Sequence, residues 1–224
     1  MKINKILGWG LLISIFSFPG CAGPNLYSVD MYYDAVQANI PEYLKVDKAS
    51  NVLISVAEFT DTRQMDDRLV IGRVVEKDGM KTLVFPKNIK VTKAISNGIK
   101  EYLRKAGYKV PNKIEQWDLK EQNIPQGYGT ILIGGNIDEL EISCRRGFPS
   151  NTFTTNIQLT IVFADMAKGK ILYQSKVESS YSKEHILFSE ESLGEQAGIA
   201  LGDAIEKLFE NKAVAQKLKE ALAQ

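Results

Sequence analysis

Three long runs between Thr130 and Ser182 carry the clearest hydrophobic pattern in the chain. In Thr152 to Asp165 the residues Phe153, Thr155, Ile157, Leu159, Ile161 and Phe163 fall on one side, the period of two of a strand with one buried face. Ile171, Tyr173, Ser175 and Val177 do the same in Ile171 to Ser182. Thr130 to Cys144 opens on Ile131-Leu132-Ile133, passes Gly134-Gly135, and resumes its alternation in shifted register, which predicts a bulge near Asp138 to Leu140. Short connectors, Arg145 to Asn151 and Ala167 to Lys170, make these three an antiparallel meander. A different period governs Ile89 to Ala106, where Val91, Ile95, Ile99, Tyr102, Leu103 and Ala106 mark one face of a helix that ends at Gly107. Leu193, Ala197, Ala200, Leu201, Ala204, Ile205, Leu208 and Phe209 mark a second helix, with Ser189 as its N-cap and small residues along its middle.

Upstream, Val52 to Phe59 reads as an interior strand, apolar on both faces in its first half, after which Thr60 to Arg63 leaves the sheet. Leu69 to Glu76 and Lys81 to Phe85 flank Asp78-Gly79, a hairpin signal. Tyr108 to Val110 resembles a short returning strand, and Pro111 to Tyr128 a loop with one helical turn. The order of elements defines an α+β fold, a mixed, largely antiparallel β-sheet with two amphipathic helices packed on one face. Residues 51–210 form the globular domain, and residues 211–224 a helical tail with Val214, Leu218, Ala221 and Leu222 on one side. That narrow stripe either folds back or meets another protein.

The N-terminal end has a different character. Lys2 and Lys5 precede Ile6 to Phe18, thirteen uncharged residues too few to span a bilayer, and Gly20 stands before Cys21. This layout is that of a secretory signal peptide over residues 1–20. Residues 21–50 then serve as a tether, broken by Gly23-Pro24-Asn25, in which Asp30 is placed to cap a short helix over Met31 to Asn39. Tyr27, Tyr32, Tyr33 and Tyr43 are too many aromatics for a flexible linker, so part of it lies against the domain.

Charge removes some classes of partner. Without residues 1–20, which hold two of the 28 basic residues, the chain has 26 basic and 27 acidic residues, so nothing points to nucleic acid. The two cysteines are Cys21 and Cys144. Cys144 ends an apolar strand and reads as a small buried residue, with a reactive thiol or an intermolecular disulfide as the alternative. One histidine, His185, stands in a solvated turn. The sequence contains neither a cluster with zinc-ligand spacing nor a G-x-S-x-G, P-loop or G-x-G-x-x-G motif, so no catalytic, cofactor or metal residue is assigned. The densest charge group is Asp61, Arg63, Asp66, Asp67 and Arg68, at a strand end. Asp61 and Arg63 are the candidate polar site there, and the plainer alternative is a set of ion pairs fixing the loop. Arg145-Arg146 offers a phosphate or sugar contact, or an exposed connector.

Phe18-Pro19-Gly20-Cys21 resembles the lipobox of bacterial lipoproteins, matching it at Gly20 and Cys21 and departing from it at Phe18 and Pro19. The resemblance implies a diacylglyceryl group on the Cys21 sulfur, cleavage before it and acylation, by palmitate or a similar chain, of the freed amine. Ordinary cleavage with a free Cys21 is the alternative. Ala22 at the next position implies delivery to the outer membrane, facing the periplasm. Ala57 to Arg63 read with Val70-Ile71-Gly72, and Ile99 to Leu103 read with Ala106-Gly107-Tyr108, look like the YajG-type lipoproteins of Gram-negative bacteria. That likeness covers roughly Val52 to Leu208 and brings no catalytic residues. The layout is also similar to auxiliary lipoproteins of envelope transport systems. Together these imply a non-enzymatic, lipid-anchored module with an envelope protein as partner and an open oligomeric state. The alternative is an envelope hydrolase or transferase acting on a cell-wall or lipid substrate.

Overall fold

A computed structural model describes residues 26–46, 52–112, 116–126 and 129–222. The signal peptide and Cys21 lie outside these. The meander forms as its periodicity requires. Strands β6 (Ile131–Arg145), β7 (Asn151–Asp165) and β8 (Lys170–His185) pair antiparallel along nearly their whole lengths. The register shifts between Ile137 and Glu139, so the bulge lies where the change of alternation puts it. There Asp138 accepts a hydrogen bond from the Thr160 hydroxyl.

The other edge of β6 takes three short strands in succession, all parallel to it: β2 (Ile54–Val56), β3 (Thr60–Asp61) and β4 (Gly72–Val75). Thr60 and Asp61 therefore stay in the sheet, contrary to the expectation that the chain leaves it at Thr60. The Asp78-Gly79 hairpin joins β4 to β5 (Lys81–Pro86), with Gly79 at φ 87°. The sheet ends on β1 (Leu26–Val29), parallel to β5. Among the described residues it has eight strands.

Among the described residues the two expected helices and the helical tail all form, and the tail packs with them. Helices α1 (Val91–Lys105), α2 (Glu190–Glu210) and α3 (Lys212–Leu222) all contribute to one core on one sheet face. Ser189 caps α2 by accepting from the Ser192 amide at 3.0 Å. Val214 and Leu218 of α3 are each 1% exposed, so the stripe of residues 211–222 folds back onto the domain. The opposite face carries a smaller apolar cluster, in which Trp117 covers Leu132, Val162 and Met166. The Gly134-Gly135 step serves both faces. A Cβ on Gly134 would stand 2.8 Å from the Trp117 ring, and one on Gly135 2.5 Å from the Phe59 ring.

The helix expected over Met31 to Asn39 does not form. Residues 30–44 cross the helical layer without regular structure beyond turns, and bury Met31, Tyr33, Ala38, Ile40 and Leu44 in the main core. Gly194, Gly198 and Gly202, four residues apart, leave the surface of α2 bare where this segment passes. A Cβ on Gly198 would lie 2.3 Å from the Tyr32 carbonyl oxygen, so the contact needs glycine. The segment's backbone thus lies directly against the helix.

Candidate functional site

Asp61 closes β3, and the Thr62 amide and hydroxyl both donate to the Ile137 carbonyl, at 3.1 and 3.0 Å, beside the bulge. That anchoring turns Arg63 inward, where it is 3% exposed. Its Nε and Nη2 donate to the two Asp61 carboxylate oxygens at 2.9 and 2.7 Å. The remaining donors go to backbone carbonyls: Nη1 to Val70 at 3.0 Å and Leu140 at 3.3 Å, Nη2 to Arg68 at 2.6 Å. A guanidinium has five N–H groups, and all five are engaged. Burial pushes the Asp61 carboxyl up, but the bonds and charge of Arg63 outweigh it and hold the pKa below its usual value. Asp61 and Arg63 thus form a clamp that fastens the 64–71 loop to the sheet, with no donor left on the guanidinium for a ligand. Asp66, Asp67 and Arg68 stay on the exposed loop, where Asp67 caps the Leu69 amide at 2.8 Å.

His185 is exposed at the end of β8, and its Nδ1 engages the Leu187 backbone. Cys144 points into the core at 0% exposure, and burial pushes its thiol up to about 11. Among the described residues no group of three or more His, Cys, Asp or Glu side chains could hold a metal ion.

Arg145 and Arg146 part company. Arg145 is exposed, whereas Arg146 donates to Glu76 at 2.8 Å and lies 4.9 Å over the Phe188 ring. The Tyr27 hydroxyl donates to the same carboxylate at 2.9 Å, and its ring meets Phe188 edge-on at 5.0 Å. Four chain segments, the start of β1, the β4–β5 hairpin, the β6–β7 connector and the β8–α2 connector, are therefore tied at one end of the sheet. No short motif announces this cluster, because its members lie 42 residues or more apart.

A groove of about 1020 Å³ runs where residues 28–37 cross α2. Asp30, Asp34, Glu190, Glu195, Asp203 and Glu206 line it, with Lys87 as the basic lining residue. Burial raises the Glu206 carboxyl, and the neighbouring Glu210 and Asp203 add to the rise. Lys207 partly offsets this charge through an ion pair with Asp203 at 2.6 Å. The clue to the groove in the sequence is the four-residue spacing of the glycines, which fixes where the segment crosses.

No family model matches the chain, and no curated protein matches it. Among solved structures it is similar to a DUF330-family protein of Xanthomonas campestris, with 8% identity over 88% of this chain and 99% of that one, at a TM-score of 0.51. A lipoprotein of Neisseria meningitidis is more distant, with 12% identity over 68% of this chain and 96% of that one, at a TM-score of 0.32. At such identities the first likeness shows a shared fold. The described residues contain no helix long and apolar enough to cross a membrane.

Proposed function

We propose that this protein is a non-enzymatic lipoprotein, held through acylated Cys21 to the periplasmic face of the outer membrane, where it serves as a binding or assembly module for an envelope partner. One observation carries this reading. Strand β1 starts at Leu26, five residues after Cys21, and residues 26–46 contribute to sheet and core rather than to a linker. A short leash from a lipidated cysteine to a docked edge strand suits a module fixed close to its membrane. The non-enzymatic part rests on the commitments of the reactive side chains: Arg63 clamped, Cys144 buried, His185 held by its own turn. The YajG-type likeness is consistent with both parts. An envelope hydrolase or transferase would have to work from the carboxylate groove, which lacks a nucleophile paired with a base.

Cys21→Ala tests the anchor. The full chain grown with labelled palmitate is expected to take up label and to lose residues 1–20, and the variant to remain an unlabelled precursor. Label retained by Cys21→Ala would overturn the proposal.

A further inference from the structure

The six strands that reach the Arg145 end of β6 fix a direction for the molecule. Leu26 pairs with Leu83, Leu83 with Arg73, and Arg73 with Ser143, so β1 starts two residues below that end. At roughly 3.4 Å per residue, the opposite end of β6, at Ile131, lies about 40 Å away from Leu26 along the strand direction. The five-residue span from Cys21 to Leu26 reaches at most about 17 Å. A lipid on Cys21 therefore cannot lie at the Ile131 end.

Several of the exposed large apolar side chains gather at this end, whereas Tyr32, Val36, Leu69 and Ile199 are exposed elsewhere on the domain. Phe148 is 93% exposed in the β6–β7 connector, Ile186 77% and Leu187 69% in the β8–α2 connector, and Met80 61% at the tip of the β4–β5 hairpin. Leu26 and Leu83 are exposed beside them. The 166–169 turn at the other end shows no large exposed apolar side chain. The Tyr27–Glu76–Arg146–Phe188 cluster ties the bases of these connectors together, so the tips are carried on one platform.

We infer that this end of the sheet is a membrane-contacting surface, whose Phe148, Ile186, Leu187 and Met80 side chains enter the interfacial layer of the bilayer that holds the Cys21 lipid. The inference rests on the anchor proposed above. Exposed charges at this end are Lys77, Asp78, Lys81, Arg145, Lys183 and Glu184, a small basic excess that adds headgroup contact to the apolar one. The carboxylate groove begins near this end, at Glu190, and runs away from it along α2, which leaves it open to the aqueous side.

The test uses the full chain purified from membranes, with the Cys21 peptide mass determined first, and reconstituted into vesicles of brominated phosphatidylcholine. Phe148→Trp places a fluorophore on the proposed surface, and Ala167→Trp places one at the far turn; Trp117 supplies a constant buried background. Bromine is expected to quench the Phe148→Trp emission by at least half relative to unbrominated vesicles, and to leave Ala167→Trp unchanged. Equal quenching at both sites, or none at position 148 in an acylated chain, overturns the inference and leaves the anchor standing. Shielding at position 148 that depends on protein concentration and not on bromine makes the surface a contact between copies, and also overturns it. An unmodified Cys21 sinks the anchor and this inference together.

Discussion

Replacing Arg63 by Met removes five hydrogen bonds while keeping much of the side-chain volume. Asp61 then sits at the strand end without its bidentate partner, and the Val70, Leu140 and Arg68 carbonyls lose a donor. Removing one member of a buried ion pair costs about 3–5 kcal/mol. The Asp61 side chain keeps 14% exposure, so water screens part of the orphaned charge and the lower end, about 3 kcal/mol, applies. In a domain of this size each kcal/mol corresponds to about 2–4 °C, so the melting midpoint should fall by roughly 6–12 °C. Urea unfolding of the chain from residue 22 onward, followed by circular dichroism, measures the free energy directly. Arg63→Lys keeps the charge but not the fork and should fall between the two. The acidic limb adds a second signature. The Asp61 pKa is lowered in the folded state, so its contribution is complete above the ordinary value of 3.8 and is lost as pH falls through the lowered one. The gap between wild type and Arg63→Met should accordingly narrow below about pH 4. A midpoint within 1 °C of wild type for Arg63→Met would refute the clamp and return Arg63 to the list of ligand-binding candidates.

Three further outcomes follow from the packing. Gly198→Ala drives a Cβ into the Tyr32 carbonyl and should cost about 1–3 kcal/mol by thermal melting, although alanine favours helix. Leu218→Ala empties a site 1% exposed and should cost roughly 2–5 kcal/mol; a near-neutral result would restore the reading of residues 211–224 as a partner-binding tail. Cys144 should resist a water-soluble thiol reagent at pH 8 in the native protein and react fully in guanidinium, as its burial and raised pKa require.

The strands and helices visible in the sequence are those whose partners are neighbours along the chain. β6 to β8 each carry a period of two over about 15 residues and are joined by short turns, so pattern and pairing agree. The bulge could be placed because Ile137 and Leu140 break the alternation. What escaped notice is held by distant contacts. Residues 30–44 have no period, since they are buried by the bare surface at Gly194, Gly198 and Gly202, some 160 residues later. The parallel pairing of β2, β3 and β4 with β6 is fixed by register across 70 residues or more, not by any local turn. Asp61 and Arg63 stand out as charges at a strand end, but only the fold shows that the guanidinium turns inward. Arg146 looked like its neighbour Arg145 until Glu76 and Phe188 were brought beside it.

The central proposal is that the chain is anchored by lipid at Cys21, five residues before β1. The mass of the N-terminal peptide from wild-type protein extracted from membranes tests it most directly. The account predicts a peptide that starts at Cys21 and carries a diacylglyceryl group on sulfur and an acyl chain on nitrogen. A peptide that reads through Gly20 to an unmodified Cys21 would contradict it.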